Sequence, residues 1–210
     1  MRLFLSSQGL GTAPGELVGL LRSRTRIAVI ANGAYLTNPG KQRRRIDTEV
    51  AELRELGLDP GELDLRDYFG QAERLRAELE GFDALWVLGG NGVVLRTAFS
   101  ESGADSVVRT RLEEDSLVYA GYSAGACLVG PAFPPWNDLS AEELPGYPDR
   151  LVTTGLDLVP FTVAPHQGTE SGSAAAVVHY LKDHHVPFIA LRDGQAIVIE
   201  GGSTRVVGTA

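Results

Sequence analysis

The sequence predicts an α/β protein of three layers, a mostly parallel sheet covered by helices on both faces. Three observations carry this. Short apolar runs alternate with segments of helical spacing along nearly the whole chain. Several of those runs are continuously apolar, as in strands buried on both sides. The chain has 210 residues, and α/β sheets often pass 200 residues without dividing. We therefore expect one domain over residues 1–210, with no internal repeat, low-complexity tract or linker.

Arg2 to Ser6 (RLFLS) reads as the first strand, and Pro14 to Arg22 has helical spacing. Arg26 to Asn32 is a short apolar strand. Lys41 to Leu56 is a helix with Val50, Leu53 and Leu56 on one side, closed by Gly57 and Pro60. A third strand is expected over Glu62 to Leu65 and a helix over Tyr68 to Leu79. Ala84 to Gly90 is a strand running into a glycine turn. Ser106 to Glu114 is helical, and Ser116 to Tyr122 is the next strand. Pro131 to Val152 holds five prolines and no clear period, so it reads as a long loop. Phe161 to Pro165 is a strand, Thr169 to Lys182 a helix, and Pro187 to Leu191 a strand. AIVIE and TRVVG look like a terminal hairpin.

Composition narrows the functional classes. The apolar fraction of 43% supports a sizeable core. The net charge of −8 would repel a phosphate backbone, so no nucleic-acid partner is expected. Cys127 is the one cysteine and can form no internal disulfide. The apolar stretch after Met1 and Arg2 is too short for a signal-peptide core, and the longest apolar candidate, Ala84 to Leu95, is broken by Gly89, Gly90, Asn91 and Gly92. The expectation is a cytoplasmic protein away from the membrane, monomeric or homodimeric.

Gly121-Tyr122-Ser123-Ala124-Gly125 matches G-x-S-x-G, with a buried strand before it and a small-residue segment after it. In that context the pattern makes a sharp strand-to-helix turn that lifts the serine above the sheet. The alternative is a glycine-rich turn without chemistry. Gly89, Gly90, Asn91 and Gly92 form a second glycine turn. The N–H groups of Gly89 and Gly90, with that of Ala124, are candidates for an oxyanion hole, and Asn91 for a substrate contact. A phosphate-binding turn is the competing reading, but neither G-x-x-x-x-G-K-[ST] nor a full G-x-G-x-x-G is present.

A serine nucleophile needs a base, most often histidine. Of the four histidines, His179 falls inside a helix pattern, and His184 and His185 sit together at a helix end. His166 directly follows the strand FTVAP and is the candidate base. The orienting carboxylate is Asp193, which follows the strand FIALR, or Asp138 in the proline-rich loop. No histidine spacing of the H-E-x-x-H type is present, and neither a metal nor a cofactor is expected. Cys127 reads as a small buried residue.

GYSAGACL resembles the G-W-S-A-G-A-N segment of the peptidase E (aspartyl dipeptidase) family, and LGGN its G-G-G-N turn. VAPH is similar to its N-P-H segment, and LRDG to its L-P-E-G segment. The segments fall in the same order over nearly the whole chain. The resemblance implies a fold related to the class I glutamine amidotransferases (flavodoxin-like) and a serine peptidase acting on small peptides. It implies a Ser123–His166–Asp193 triad, in the order serine, histidine, acid. Asp138 matches an N-D pair after the family's serine, so it stands as an alternative acid or substrate contact. The chain departs at Leu88, which replaces the first glycine of the turn, and at Asp193, where the family has glutamate. Selection of an N-terminal aspartate would need a cation, and the candidates are Arg192 and the run Lys41, Arg43, Arg44 and Arg45. Competing readings are a cyanophycinase-like peptidase, an α/β-hydrolase-type esterase and a non-catalytic amidotransferase-like binding module.

Overall fold

A computed structural model of the chain describes residues 1–34, 38–131, 144, 146–148, 151–169 and 172–210. Among these, β1 (Arg2–Ser6), β2 (Arg26–Ile30), β3 (Asp59–Glu62), β4 (Ala84–Val87), β5 (Val118–Tyr122), β8 (Ala196–Glu200) and β9 (Ser203–Val207) form one sheet. Its order is β3-β2-β4-β5-β1-β8-β9. The first five strands in that order run parallel, and β8 and β9 join as an antiparallel hairpin against β1. The expected α/β architecture is therefore the observed one.

Side chains alternate across this sheet because successive residues of a strand point to opposite faces. Leu3, Leu5, Ala28, Ile30, Leu85, Val87 and Tyr119 point to one core. Phe4, Ile27, Val29, Trp86, Val118, Ala120 and Tyr122 point to the other. The first core is covered by α3 (Ala72–Leu79), α4 (Gly92–Ser102) and α5 (Ala104–Glu113). The second is covered by α1 (Pro14–Leu21) and α2 (Pro39–Glu55). Burial on both faces is why the central strands read as unbroken apolar runs rather than alternating ones.

Two expectations are corrected, and one helix is new. The third strand is Asp59–Glu62, not Glu62 to Leu65; its Pro60 is tolerated because β3 is an edge strand. Leu65 instead opens a 3₁₀ turn, Leu65–Tyr68, whose N-cap Asp64 accepts the Arg66 N–H. The helix expected over Tyr68 to Leu79 is interrupted at Gly70, where φ is +68°, and resumes only at Ala72. Helix α4 has no counterpart in the sequence reading. Nine of its eleven residues are buried, so it has no polar stripe to reveal a 3.6-residue period.

The strands β6 (Thr162–Ala164) and β7 (Phe188–Ala190) do not enter the main sheet. They pair in parallel with each other, beside α7 (Gly172–Asp183). In the main sheet β5 lies between β4 and β1, with the terminal hairpin beyond β1. Among the described residues no helix is long and apolar enough to cross a membrane.

Candidate active site

Ser123 sits at the carboxyl end of β5, between that strand and the short helix α6 (Ala124–Cys127). Its backbone has φ 52° and ψ −119°, a region that costs a non-glycine residue about 1–3 kcal/mol. The turn holds because its surroundings leave little choice. The Ser123 N–H donates to Ser6 O at 3.1 Å, tying the turn to β1. Gly125 lies so close to β4 that a Cβ there would stand 2.1 Å from Val87 O. The G-x-S-x-G spacing thus reflects a close backbone crossing over Val87, beyond what a glycine-rich turn alone would need.

The turn after β4 lies against the serine. A Cβ on Gly89 would come within 2.7 Å of Ser123 Cβ and 3.2 Å of its Oγ. No backbone carbonyl among the described residues accepts the N–H groups of Gly89, Gly90 or Ala124. Asn91, expected as a substrate contact, is occupied locally: its Oδ1 accepts the N–H groups of Val93 and Val94 at 3.0 Å each and caps α4. Asn91→Ala should therefore cost about 1 kcal/mol of stability. Urea unfolding checks this, and a rise in KM at unchanged stability would return Asn91 to the substrate-contact role.

His166 follows β6 through Pro165, with φ 62°. Its Nε2 lies 2.9 Å from Ser123 Oγ and its Nδ1 lies 2.8 Å from Asp193 Oδ1. A carboxylate can only accept, and a serine hydroxyl can donate. A neutral imidazole protonated at Nδ1 therefore satisfies both contacts. Asp193 follows β7 and reaches the ring because β6 and β7 are neighbours, their loops held together by the Gln167 N–H donating to Leu191 O at 2.9 Å. The shorter aspartate thus spans to the imidazole in place of a glutamate. Asp138, the rival acid, lies outside the described residues. The sequence reading passed over Ser7. Its Oγ accepts the His166 N–H at 2.8 Å and donates to Asp193 Oδ1 at 2.8 Å.

The candidate cations lie in three settings. Arg43 is exposed and held by Glu62, at 2.6 and 2.7 Å, and by Asp47. Arg192 is exposed beside Asp193 and borders an open cavity of about 470 Å³. Arg45 is held by the residue before Ser123: its Nη2 and Nε donate to Tyr122 Oη at 2.8 and 3.0 Å. Tyr122 in turn donates to Glu49 Oε1 at 2.6 Å, and Trp86 Nε1 donates to Glu49 Oε2 at 2.7 Å. Burial, with the Glu49 carboxylate beside it, pushes the Tyr122 phenol well above its ordinary pKa, so it remains a donor. A buried carboxylate is tolerable when both oxygens are satisfied, and this network braces the residue next to Ser123.

Cys127 is buried with its thiol donating to Val163 O at 3.2 Å, and burial pushes that thiol up to about 12. It stays protonated and unreactive. Among the described residues no three His, Cys, Asp or Glu side chains converge as a metal site would require.

The family model described as "Peptidase family S51" matches residues 37–207, which includes Ser123, His166 and Asp193. The chain belongs to peptidase family S51. Among named relatives of this S51 chain, peptidase E of Streptomyces coelicolor is 29% identical over 163 residues, 74% of this chain and 63% of the relative. A Drosophila melanogaster protein named "Probable alpha-aspartyl dipeptidase" is 25% identical over 170 residues, 77% of this chain and 68% of that one. The S51 chain covers 63% and 59% of the length of the two peptidase E relatives it matches, from Streptomyces coelicolor and Shewanella denitrificans. Its fold is that of a candidate peptidase E from Listeria monocytogenes EGD-e (TM-score 0.78, 21% identity, 100% of this chain and 98% of that one). A peptidase from an acI-B1 actinobacterium has the same fold (TM-score 0.73, 18% identity, 100% and 88%).

Proposed function

We propose that this S51 chain is a serine-type exopeptidase that hydrolyses small peptides through an acyl-enzyme. The observation that carries the reading is the continuous contact from Ser123 Oγ to His166 Nε2 and from His166 Nδ1 to Asp193 Oδ1. Ser123 attacks the scissile carbonyl while His166 takes its proton. Asp193 holds the imidazole in the Nδ1–H tautomer and stabilises the imidazolium that forms. The N–H groups of Gly89, Gly90 and Ala124 receive the developing oxyanion. His166 then protonates the leaving amine, and water repeats the sequence on the acyl-enzyme.

A substrate with N-terminal aspartate is the finer reading. It is supported by the name of the Drosophila relative and by Arg192, an exposed guanidinium beside Asp193 able to meet a carboxylate. A lone cysteine fits a reducing compartment, and we place the protein in the cytoplasm. The test is a fluorophosphonate probe, which should label Ser123, followed by a dipeptide panel varying the N-terminal residue. Lack of labelling would favour the binding-module reading, and cleavage of blocked esters alone would favour an esterase.

A serine triad needs no ion. Dialysis against a strong chelator should therefore leave peptidase activity unchanged. Loss of activity that zinc or manganese restores would count against the mechanism.

A further inference from the structure

Ser7 follows the last residue of β1. That strand runs parallel to β5 with Ser6 opposite Tyr122, so Ser7 stands beside the Ser123 turn. It is fully buried. Its backbone is fixed by a bond from its own N–H to Gln195 O at 3.0 Å. Its hydroxyl has one hydrogen. That hydrogen has two acceptors in range, Asp193 Oδ1 at 2.8 Å and Leu191 O at 3.5 Å, and the shorter contact takes it. The oxygen accepts the His166 N–H at 2.8 Å.

We propose that Ser7 is a positioning residue for this peptidase, holding the base and the acid in register from a single hydroxyl. The inference rests on the serine-peptidase reading above. Two features of the geometry support it. First, His166 adopts φ 62°, which a β-carbon disfavours, and the bond from its N–H to Ser7 is one of the contacts that hold it there. Second, the Ser7 hydroxyl and the His166 ring meet the same carboxylate oxygen. Asp193 is otherwise about two-fifths exposed, and a single contact to an imidazole would leave it free to rotate toward water. A second donor from a rigid strand end fixes the carboxylate where the imidazolium will form. Hydrogen bonds to charged groups are worth roughly tenfold to a hundredfold in an equilibrium or rate, and that is the expected scale.

The experiment measures fluorophosphonate labelling rates across pH for the wild-type protein, Ser7→Ala and Ser7→Cys, with Ser123→Ala as the blank. Thermal melts followed by circular dichroism check that each variant is folded. Ser7→Ala should label about 10–100-fold more slowly at the rate plateau, and the acid limb of its profile should be displaced from that of wild type. Ser7→Cys keeps the size of the side chain but donates poorly, so its rate should fall between. If Ser7→Ala does not fold, Ser7→Cys is judged by the same two criteria. A rate within twofold of wild type, or a slower rate on an unmoved limb, overturns the proposal: the hydroxyl would then serve folding alone. Wild-type protein that does not label at all would instead overturn the serine-peptidase reading, and the Ser7 proposal with it.

Discussion

Ser123→Ala should abolish turnover of a cleaved dipeptide while the protein remains folded. The change removes one oxygen, whose recorded contact is with His166 Nε2. The bond from the residue's N–H to Ser6 O survives, and so does the passage of Gly125 over Val87. Removing the nucleophile of a serine triad typically costs on the order of 10⁶ in kcat, because histidine and acid then have nothing to activate. The measurement is kcat on the best dipeptide, in a preparation free of contaminating peptidase, with melting temperature as the control. Activity within tenfold of wild type would end the serine-peptidase reading.

The next largest effect is expected at Asp193. Changing it to Asn keeps the shape of the side chain but places an amide, able to donate, opposite His166 Nδ1. The ring then loses its preference for the Nδ1–H tautomer, and the imidazolium loses its counter-charge. The expected fall in kcat is roughly 10³–10⁴, with a smaller change in KM, because the charge matters mainly in the transition state. Asp138→Asn should cost much less, or act mainly on KM. An inactive Asp138→Asn beside an active Asp193→Asn would reassign the acid and leave the serine mechanism standing.

Much of this architecture was legible in the sequence, for definite reasons. Strands β1, β2, β4 and β5 are buried on both faces, so their composition declares them. The G-x-S-x-G pattern was informative because its last glycine answers a steric demand, the approach to Val87 O. Other features left no local signal. Helix α4 is buried nearly all round and shows no amphipathic stripe. The separation of β6 and β7 from the main sheet, in which β5 is flanked by β4 and β1, is a long-range arrangement no local pattern encodes. Arg45 and Arg43 are two residues apart in one cationic run, and residues at that spacing on a helix do not share a face. One meets Tyr122 and the other Glu62, and only the packed helix distinguishes them. Ser7 is the second of two consecutive serines at the end of a strand, and nothing in the letters separates the one that meets His166 and Asp193 from its neighbour.

The division between the seven-stranded sheet and the β6–β7 pair has a thermodynamic consequence. Ser123 follows β5, which is flanked by strands on both sides; His166 and Asp193, the proposed base and acid, follow the strands of a two-stranded pair with a register of only three residues. Small cooperative units open at lower free energy than the core of a domain. The protein should accordingly pass through a state in which the Ser123 turn is intact but His166 and Asp193 have come away from it. In increasing urea, turnover should fade before the far-ultraviolet dichroism does. Amide exchange should quicken in 162–164 and 188–190 while 118–122 stays protected. Activity in this protein would then report on the looser of two foldons, and a substitution that tightens the β6–β7 pair would widen the range of working conditions without raising the global unfolding free energy.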